Sequence, residues 1–280
     1  MTSNYETVMQ CVKSIQEKAP GFTPKFGIVL GSGLGPLADD IKDSVEISYE
    51  NIPGFPISTV EGHHGSLLLG FLEGVPVACL KGRVHIYEGI PLEKLRTLIR
   101  TLKMLGCHSV LTTNAVGSIR KEVTAGQIAL VTDHINFQFC NALIGPNDEE
   151  FGPRFFSMAD AYDPYLRGKF KVVGKALDIP VHDSVYVGTT GPNFETPAEI
   201  KMFRAMGGDI VGMSTVQEVL VARHCDLRVV TLSAVTNLAA DIAEEHLTHE
   251  GTLHFAGIAS KNMCKLVKAF FKENADEFSK

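Results

Sequence analysis

Val75-Pro76-Val77-Ala78-Cys79-Leu80-Lys81-Gly82-Arg83-Val84-His85-Ile86-Tyr87-Glu88-Gly89 is an apolar run that turns polar while keeping its alternation. Read as extended backbone, it sends successive side chains to opposite faces, so Arg83, His85 and Tyr87 line one side while Val84 and Ile86 pack on the other. The polar side offers a guanidinium, an imidazole and a phenol in a row. Such a row suits an anion with a ring-shaped neighbour, because arginine presents a rigid fork of donors and tyrosine a hydroxyl with a flat face. An ion pair between Arg83 and an acidic residue at a strand end explains the arginine equally well.

Working outward, Ser66 to Leu72 and Val75 to Gly82 flank Glu73-Gly74, a pattern that predicts a hairpin feeding the polar row. Before the hairpin, the loop from Phe55 to Gly65 carries His63 and His64 side by side. Glu61 is too close in sequence to complete a metal site with them, so one histidine is assigned to a ligand and the other to solvent. Farther upstream, Phe26 to Leu30 is a short buried strand running into Gly31-Ser32-Gly33-Leu34-Gly35-Pro36 and a helix from about Leu37 to Ile41. A strand, a glycine-rich turn and a helix start bring backbone N–H groups and a hydroxyl against a phosphate. No P-loop lysine is present, and Pro36 stands where a GxGxxG has its last glycine, so neither ATP nor a dinucleotide is supported. A plain tight turn explains the glycines as well. Tyr5 to Lys18 reads as an amphipathic helix closed by Pro20-Gly21.

Downstream, Leu92 to Leu105 is helical, and His108 to Thr113 is a strand ending in Asn114-Ala115-Val116-Gly117. Small residues there let a ligand approach backbone amides at the carboxyl edge of a sheet. Gln127 to Asp133 is another strand. The irregular run from His134 to Asp163 carries Phe137, Phe139, Phe151, Phe155 and Phe156, which read either as satellite core or as a subunit contact. After a helix from about Pro164 to Leu177, the strand Ser184 to Gly188 enters Thr189-Thr190-Gly191-Pro192-Asn193-Phe194-Glu195-Thr196. Thr196 and Glu199 form a capping box for a helix ending near Gly207-Gly208. Capping does not explain Phe194 beside Glu195, a flat apolar face next to a carboxylate. Asp209 to Gly212 is the next strand, and Thr215 with Glu218 reads as a second capping box, placing Ser214 beside a helix start that favours an anion. Leu227 to Val235 is a buried strand ending in Thr236-Asn237, and Thr248-His249-Glu250 opens a helix through about Phe271.

At 280 residues, 45% hydrophobic and 21% charged, the chain can bury a large core. Its glycines and prolines are scattered in turn-like clusters with no linker or repeat, which predicts one domain over residues 1–280. A formal net charge of -6 argues against nucleic acid as partner, so any anion site is local. The segment from Met1 to Thr7 lacks the basic and apolar regions of a signal peptide, and no apolar run reaches membrane-spanning length, so a cytoplasmic protein is expected. The six cysteines lack CxxC spacing and predict buried free thiols rather than disulfides or zinc ligands. Short apolar strands alternating with helices, and polar residues clustered after strands, predict an α/β fold with one composite site.

Taken together, Gly31 to Gly35, Pro56 to Gly65, Gly82 to Gly89, Thr113 to Ala115, Gly191 to Thr196, Val211 to Thr215, Ala222 to His224 and Thr236-Asn237 resemble the trimeric purine nucleoside phosphorylases. The resemblance runs from about Phe26 to the final helix. It implies a central mixed, twisted β-sheet, partly barrel-like and surrounded by helices. It also implies a homotrimer that exchanges the base of a purine (deoxy)ribonucleoside for orthophosphate without metal or cofactor. In that pattern Ser32, His63, Arg83, His85, Ala115 and Ser214 would hold phosphate. Tyr87, Met213 and His249 would contact the ribose, with Phe155 reaching in from a neighbouring subunit. Phe194, Glu195, Thr236 and Asn237 would take the base, and His85, Glu195 and Asn237 would carry catalysis. An amide donor with a carboxylate acceptor complements a 6-oxopurine, so inosine and guanosine are the expected substrates; nothing in the sequence excludes the 2-oxo group of xanthosine. The related methylthioadenosine phosphorylases typically carry an aspartate where Asn237 stands. A non-catalytic nucleoside-binding protein is the remaining alternative, and the presence of Arg83, His85, Glu195 and Asn237 speaks against it.

Overall fold

The apolar pentapeptide Phe26–Leu30 forms β1, buried along its whole length. Alternation sorts its side chains, with Phe26, Ile28 and Leu30 entering one core cluster and Val29 the other. The structure, a computed structural model, describes residues 4–31, 34–58, 65–242 and 249–279, the side chains of 249–256 excepted. In chain order the other elements are α1 Asn4–Lys18, α2 Pro36–Asp39, β2 Lys42–Ser48, β3 Ser66–Leu72, β4 Val75–Lys81, α3 Leu92–Leu105, β5 Ser109–Ser118 and β6 Ile128–Asn136. They continue with α4 Pro164–Ala176, β7 Val181–Gly188, α5 Pro197–Ala205, β8 Ile210–Gly212, α6 Val216–His224, β9 Arg228–Leu238, α7 His249–Glu273 and α8 Ala275–Phe278.

These strands form one mixed sheet in the order β2-β3-β4-β1-β5-β8-β7-β6-β9, and β9 returns to pair with β5. Strands β5, β8, β7, β6 and β9 therefore close into a barrel, and β1, β4, β3 and β2 extend from it as an open wing. This is the mixed, partly barrel-like α/β architecture expected. β1 lies parallel to both β4 and β5, with Leu30 opposite Lys81 and Val29 opposite Thr112. Strands β5 and β9 run on together to Ser118 and Leu238. The sheet thus has a step just beyond Thr112, where the wing stops and the barrel continues.

Packing on the two faces fixes that step. One face packs Val12 of α1, Ile99 of α3 and Val219 of α6, and the other packs Leu166 of α4 and Val267 of α7. Phe26 meets the rings of Phe270, Phe271 and Phe278 at centroid distances of 6.2, 5.0 and 5.3 Å. Phe170 stacks on Phe270 at 3.9 Å, so α4, α7, α8 and the wing share one aromatic knot. The hairpin forms as predicted, with φ of 48° at Glu73 and 86° at Gly74, the left-handed pair that matches strand twist.

Several boundaries differ from the sequence reading for identifiable reasons. β2 is an edge strand with five exposed residues in a row, so it carries no apolar alternation. β5 and β6 extend past their predicted ends because Asn114–Ser118 and His134–Asn136 find ladder partners in the barrel. The irregular run is satellite core in part. Phe137 packs on Phe203, and Phe151 lies under Arg100, which bonds to Asn4 and Asp148 at 2.6 and 2.8 Å. Phe139 and Phe155 stand 80% and 88% exposed. All six cysteines are free thiols, four of them buried. Among the described residues no helix is long and apolar enough to cross a membrane.

Candidate functional site

Arg83 stands at the step in the sheet, 4% exposed. Its Nη1 donates to Ser214 Oγ at 3.0 Å and to Thr215 Oγ1 at 3.3 Å, and Nη2 reaches the carbonyl of Val29 at 3.5 Å. Behind the fork, Nε lies 3.3 Å from Glu218 Oε1 in an ion pair that is almost wholly buried. The arginine thus has an acidic partner, as the ion-pair reading expected, but that partner lies in α6 rather than at a strand end. Two buried tyrosines hold the surrounding backbone. Tyr49 donates to the carbonyl of Gly82 at 2.9 Å, and Tyr186 OH accepts from Ser214 N at 3.1 Å while donating to Ser214 O at 3.2 Å. Burial pushes the Tyr186 phenol up to about 12, so it stays a neutral donor and acceptor.

The extended reading of this stretch is corrected. β4 ends at Lys81, Gly82 takes a φ of 110°, and Ile86–Glu88 forms a single 3-10 turn. The cause is Glu88, whose carboxylate accepts from the His85 N–H at 2.7 Å, lies 3.1 Å from His85 Nδ1, and accepts from Ser58 Oγ at 3.0 Å. That bend keeps His85 and Tyr87 adjacent by stacking rather than by alternation, with ring centroids 4.7 Å apart and planes at 12°. Glu88 therefore sets the orientation of the imidazole. Val84 packs into the core as expected.

The second capping box is corrected as well. Thr215 precedes α6 with a φ of 69°, and its side chain makes no cap bond. A left-handed backbone at a β-branched residue is strained by about 1–3 kcal/mol. Its hydroxyl instead accepts from Arg83 and from Asn114 Nδ2 at 2.7 Å, and Glu218 turns to the arginine. Burial raises the Glu218 carboxyl and the arginine opposes that rise. The box at Thr196 and Glu199 forms as predicted.

Three neighbourhoods meet around this point. Gly31 donates to Thr113 Oγ1 at 3.0 Å and lies so close to β5 that an added Cβ would sit 2.5 Å from the Thr113 carbonyl. Ala115 follows Asn114 on β5. A Cβ on Gly191, whose φ is 69°, would strike Met213 Sδ and come within 3.2 Å of Tyr87, so these three residues form one wall. Glu195 Oε1 accepts from Thr189 Oγ1 at 2.9 Å, and Thr189 N bonds the carbonyl of Gly212 in β8 at 2.9 Å. Asn237 lies over Gly117 beside the other flank of β8, with its Oδ1 accepting from Thr236 Oγ1 at 2.8 Å. Burial raises the Glu195 carboxyl, and its bond from Thr189 pulls the other way.

Two predicted residues stand apart from this cluster in exposure, Phe194 at 46% and Phe155 at 88%. Ser32 and His63 lie outside the described residues; His249 is the first residue of α7, and its side chain is likewise outside them. Sequence reasoning missed Glu218, Thr215, Glu88, Thr189, Tyr49 and Tyr186. Glu218 had a visible signal that pointed elsewhere, since S/T-x-x-E before an apolar run reads as capping. The two tyrosines sit at apolar-looking positions and give no signal at all.

Comparison with known proteins agrees with this geometry. The model described as the phosphorylase superfamily matches residues 25–272. Purine nucleoside phosphorylase 1 of Bacillus subtilis is 48% identical over 247 residues, covering 88% of this chain and 91% of that protein. Purine nucleoside phosphorylase 1 of Geobacillus stearothermophilus is 43% identical, covering 97% and 99%. The crystal structure of Schistosoma mansoni purine nucleoside phosphorylase in complex with adenosine superposes with a TM-score of 0.92 at 37% identity, covering 98% of this chain and 99% of that one.

Proposed function

The chain belongs to the phosphorylase superfamily, among its purine nucleoside phosphorylases, and on that premise we propose that its substrates are 6-oxopurine ribonucleosides and deoxyribonucleosides, with orthophosphate as co-substrate. It is an enzyme of the pentosyltransferase class. Inosine and guanosine are the good substrates, xanthosine stays within range, and adenosine is poor. The observation that carries the base preference is the bond from Thr236 Oγ1 to Asn237 Oδ1, 2.8 Å long. With its oxygen engaged and one N–H given to the Leu238 carbonyl at 3.2 Å, the amide offers its other N–H as a donor, which suits the O6 or N7 acceptor of a 6-oxopurine. Glu195, oriented by Thr189, accepts from N1–H. Adenine reverses the hydrogen-bonding sense at the 6-substituent and at N1 and keeps only the N7 acceptor.

The remaining roles follow the same chemistry. Arg83 and Ser214, with Ser32, His63, His85 and the backbone of Ala115, hold phosphate below the sugar. Tyr87, Met213 and His249 contact the ribose, and Phe194 and Thr236 complete the base pocket. The C1′–N9 bond breaks through a cationic sugar, a phosphate oxygen takes the place of the base at C1′, and the proton of monohydrogen phosphate is balanced by the one the purine takes up. Fixing phosphate beneath C1′ makes its attack effectively intramolecular, and Asn237 stabilises the charge that develops on the purine. The chain is proposed to act as one domain without metal or cofactor. It is further proposed to assemble as a homotrimer in which the 88% exposed Phe155 reaches a neighbour's site.

The test compares kcat/KM for inosine and adenosine at saturating phosphate. The Schistosoma mansoni protein holds adenosine, so turnover rather than occupancy is the informative readout. The expected ratio favours inosine by about a hundredfold or more, since a buried edge with mismatched polar groups rejects its ligand strongly. Equal values would remove the assignment of Asn237 and Glu195 to the base.

A further inference from the structure

Arg83 is placed to bind an anion, yet its charge is already balanced. Glu218 stands behind the guanidinium at 3.3 Å, 5% exposed, and its second oxygen has no hydrogen-bond partner among the described residues. A capping role for Glu218 is ruled out by geometry, because Thr215 has a φ of 69° and spends its hydroxyl on Arg83 and Asn114. The direction of the fork does not require a charge behind it either. Ser214, Thr215 and the Val29 carbonyl already hold three contacts to the terminal nitrogens. What the carboxylate adds is a fixed negative charge on the side of the guanidinium away from Ser214.

We propose that Glu218 is a positioning residue that weakens the phosphate site on purpose, balancing Arg83 so that the sugar phosphate formed there can leave. The inference rests on the assignment of Arg83 to phosphate. An anion before Ser214 and the carboxylate behind Arg83 repel one another across a dry site, where interactions between charges are screened far less than in water. The repulsion acts on phosphate, on the transition state and on the sugar phosphate alike, since all carry the same anionic group. It is therefore a uniform term, whose removal lowers KM, raises kcat/KM and slows product release while leaving the chemical step itself unchanged. Gln at this position keeps an oxygen facing Arg83 and removes only the charge.

The experiment measures inorganic phosphate binding by calorimetry in wild type, Glu218→Gln, Glu218→Asp and Arg83→Met, together with initial rates of inosine phosphorolysis. In Glu218→Gln the dissociation constant for phosphate is expected to fall by on the order of tenfold, with kcat/KM for phosphate rising by a similar factor and kcat falling as release slows. Glu218→Asp keeps the charge and draws it back by one methylene, so it tightens phosphate by a smaller factor and carries the test if the glutamine variant does not fold. A purely structural role predicts the reverse, weaker phosphate binding and a lower kcat/KM, and that result in either variant overturns the proposal. Unchanged binding in both overturns it too. Failure of the underlying phosphate assignment looks different, because Arg83→Met would then bind phosphate as well as wild type.

Discussion

Replacing Arg83 by Met separates the binding role of the arginine from its structural one. Arg83 and Glu218 are 4% and 5% exposed, and Glu218 Oε2 already lacks a partner among the described residues. Removing the guanidinium leaves a buried, uncompensated carboxylate, which costs about 3–5 kcal/mol of stability. Adding Glu218→Gln removes that charge, leaving mainly a lost hydrogen bond and imperfect packing, about 1–2 kcal/mol. The double variant should therefore be more stable than the single one by about 2 kcal/mol, although it carries more substitutions. The deficit of Arg83→Met should also depend on pH with a definite sign. Burial raises Glu218 above its ordinary value of 4.5, and Arg83 opposes that rise. A carboxyl raised in the folded state supports folding fully only below its ordinary value, and that support is lost as pH rises through the folded value. Without Arg83 the folded value climbs further, so the deficit is largest near neutrality and narrows toward pH 4.5. Urea unfolding of wild type, single and double variants between about pH 5 and pH 8 reads both effects. A double variant no more stable than the single one, or a deficit that does not change with pH, would refute the reasoning. Neither variant should release hypoxanthine in response to phosphate.

Other perturbations probe the base pocket, the core and the exposed loop. Asn237→Asp should shift preference toward 6-aminopurines, and an inosine-to-adenosine ratio equal to that of wild type would defeat the role given to the amide. Because burial raises Glu195 while Thr189 lowers it, Thr189→Val should move the acid limb of kcat/KM for inosine to higher pH; a limb that stays put would mean another group controls it. Phe270→Ala empties the knot where Phe26, Phe170 and Phe278 meet and should cost about 3–5 kcal/mol in unfolding with little effect on KM for phosphate. If the proposed trimer holds, Phe155→Ala should raise KM for nucleoside several-fold without changing the sedimentation of the assembly, and unaltered nucleoside kinetics would detach this residue from any neighbour's site.

The fold was legible wherever a strand is apolar on both faces. Phe26–Leu30, the hairpin around Glu73-Gly74 and the body of β9 announce themselves, because burial from both sides selects mainly apolar residues. β2 was not legible, since an exposed edge is written in Lys42, Asp43, Ser44 and Glu46. Closure of the barrel was not legible from periodicity either, because it depends on β5 pairing with β9 across more than a hundred residues; only the family resemblance carried it. Within the site, the residues proposed to face a ligand stood out as polar groups after strands. Residues that hold them in place did not. Glu218 and Thr215 obeyed a local rule, the capping box, that tertiary contacts with Arg83 overrode. Glu88 bent an expected strand into a turn through bonds that span only three residues, and no alternation pattern reports such a bond.

The most direct measurement is release of hypoxanthine from inosine by the purified protein with and without orthophosphate. Release that requires phosphate, with sugar 1-phosphate formed in equal amount, is the predicted result. Release at the same rate without phosphate would contradict the role of Arg83 and mark the enzyme as a hydrolase.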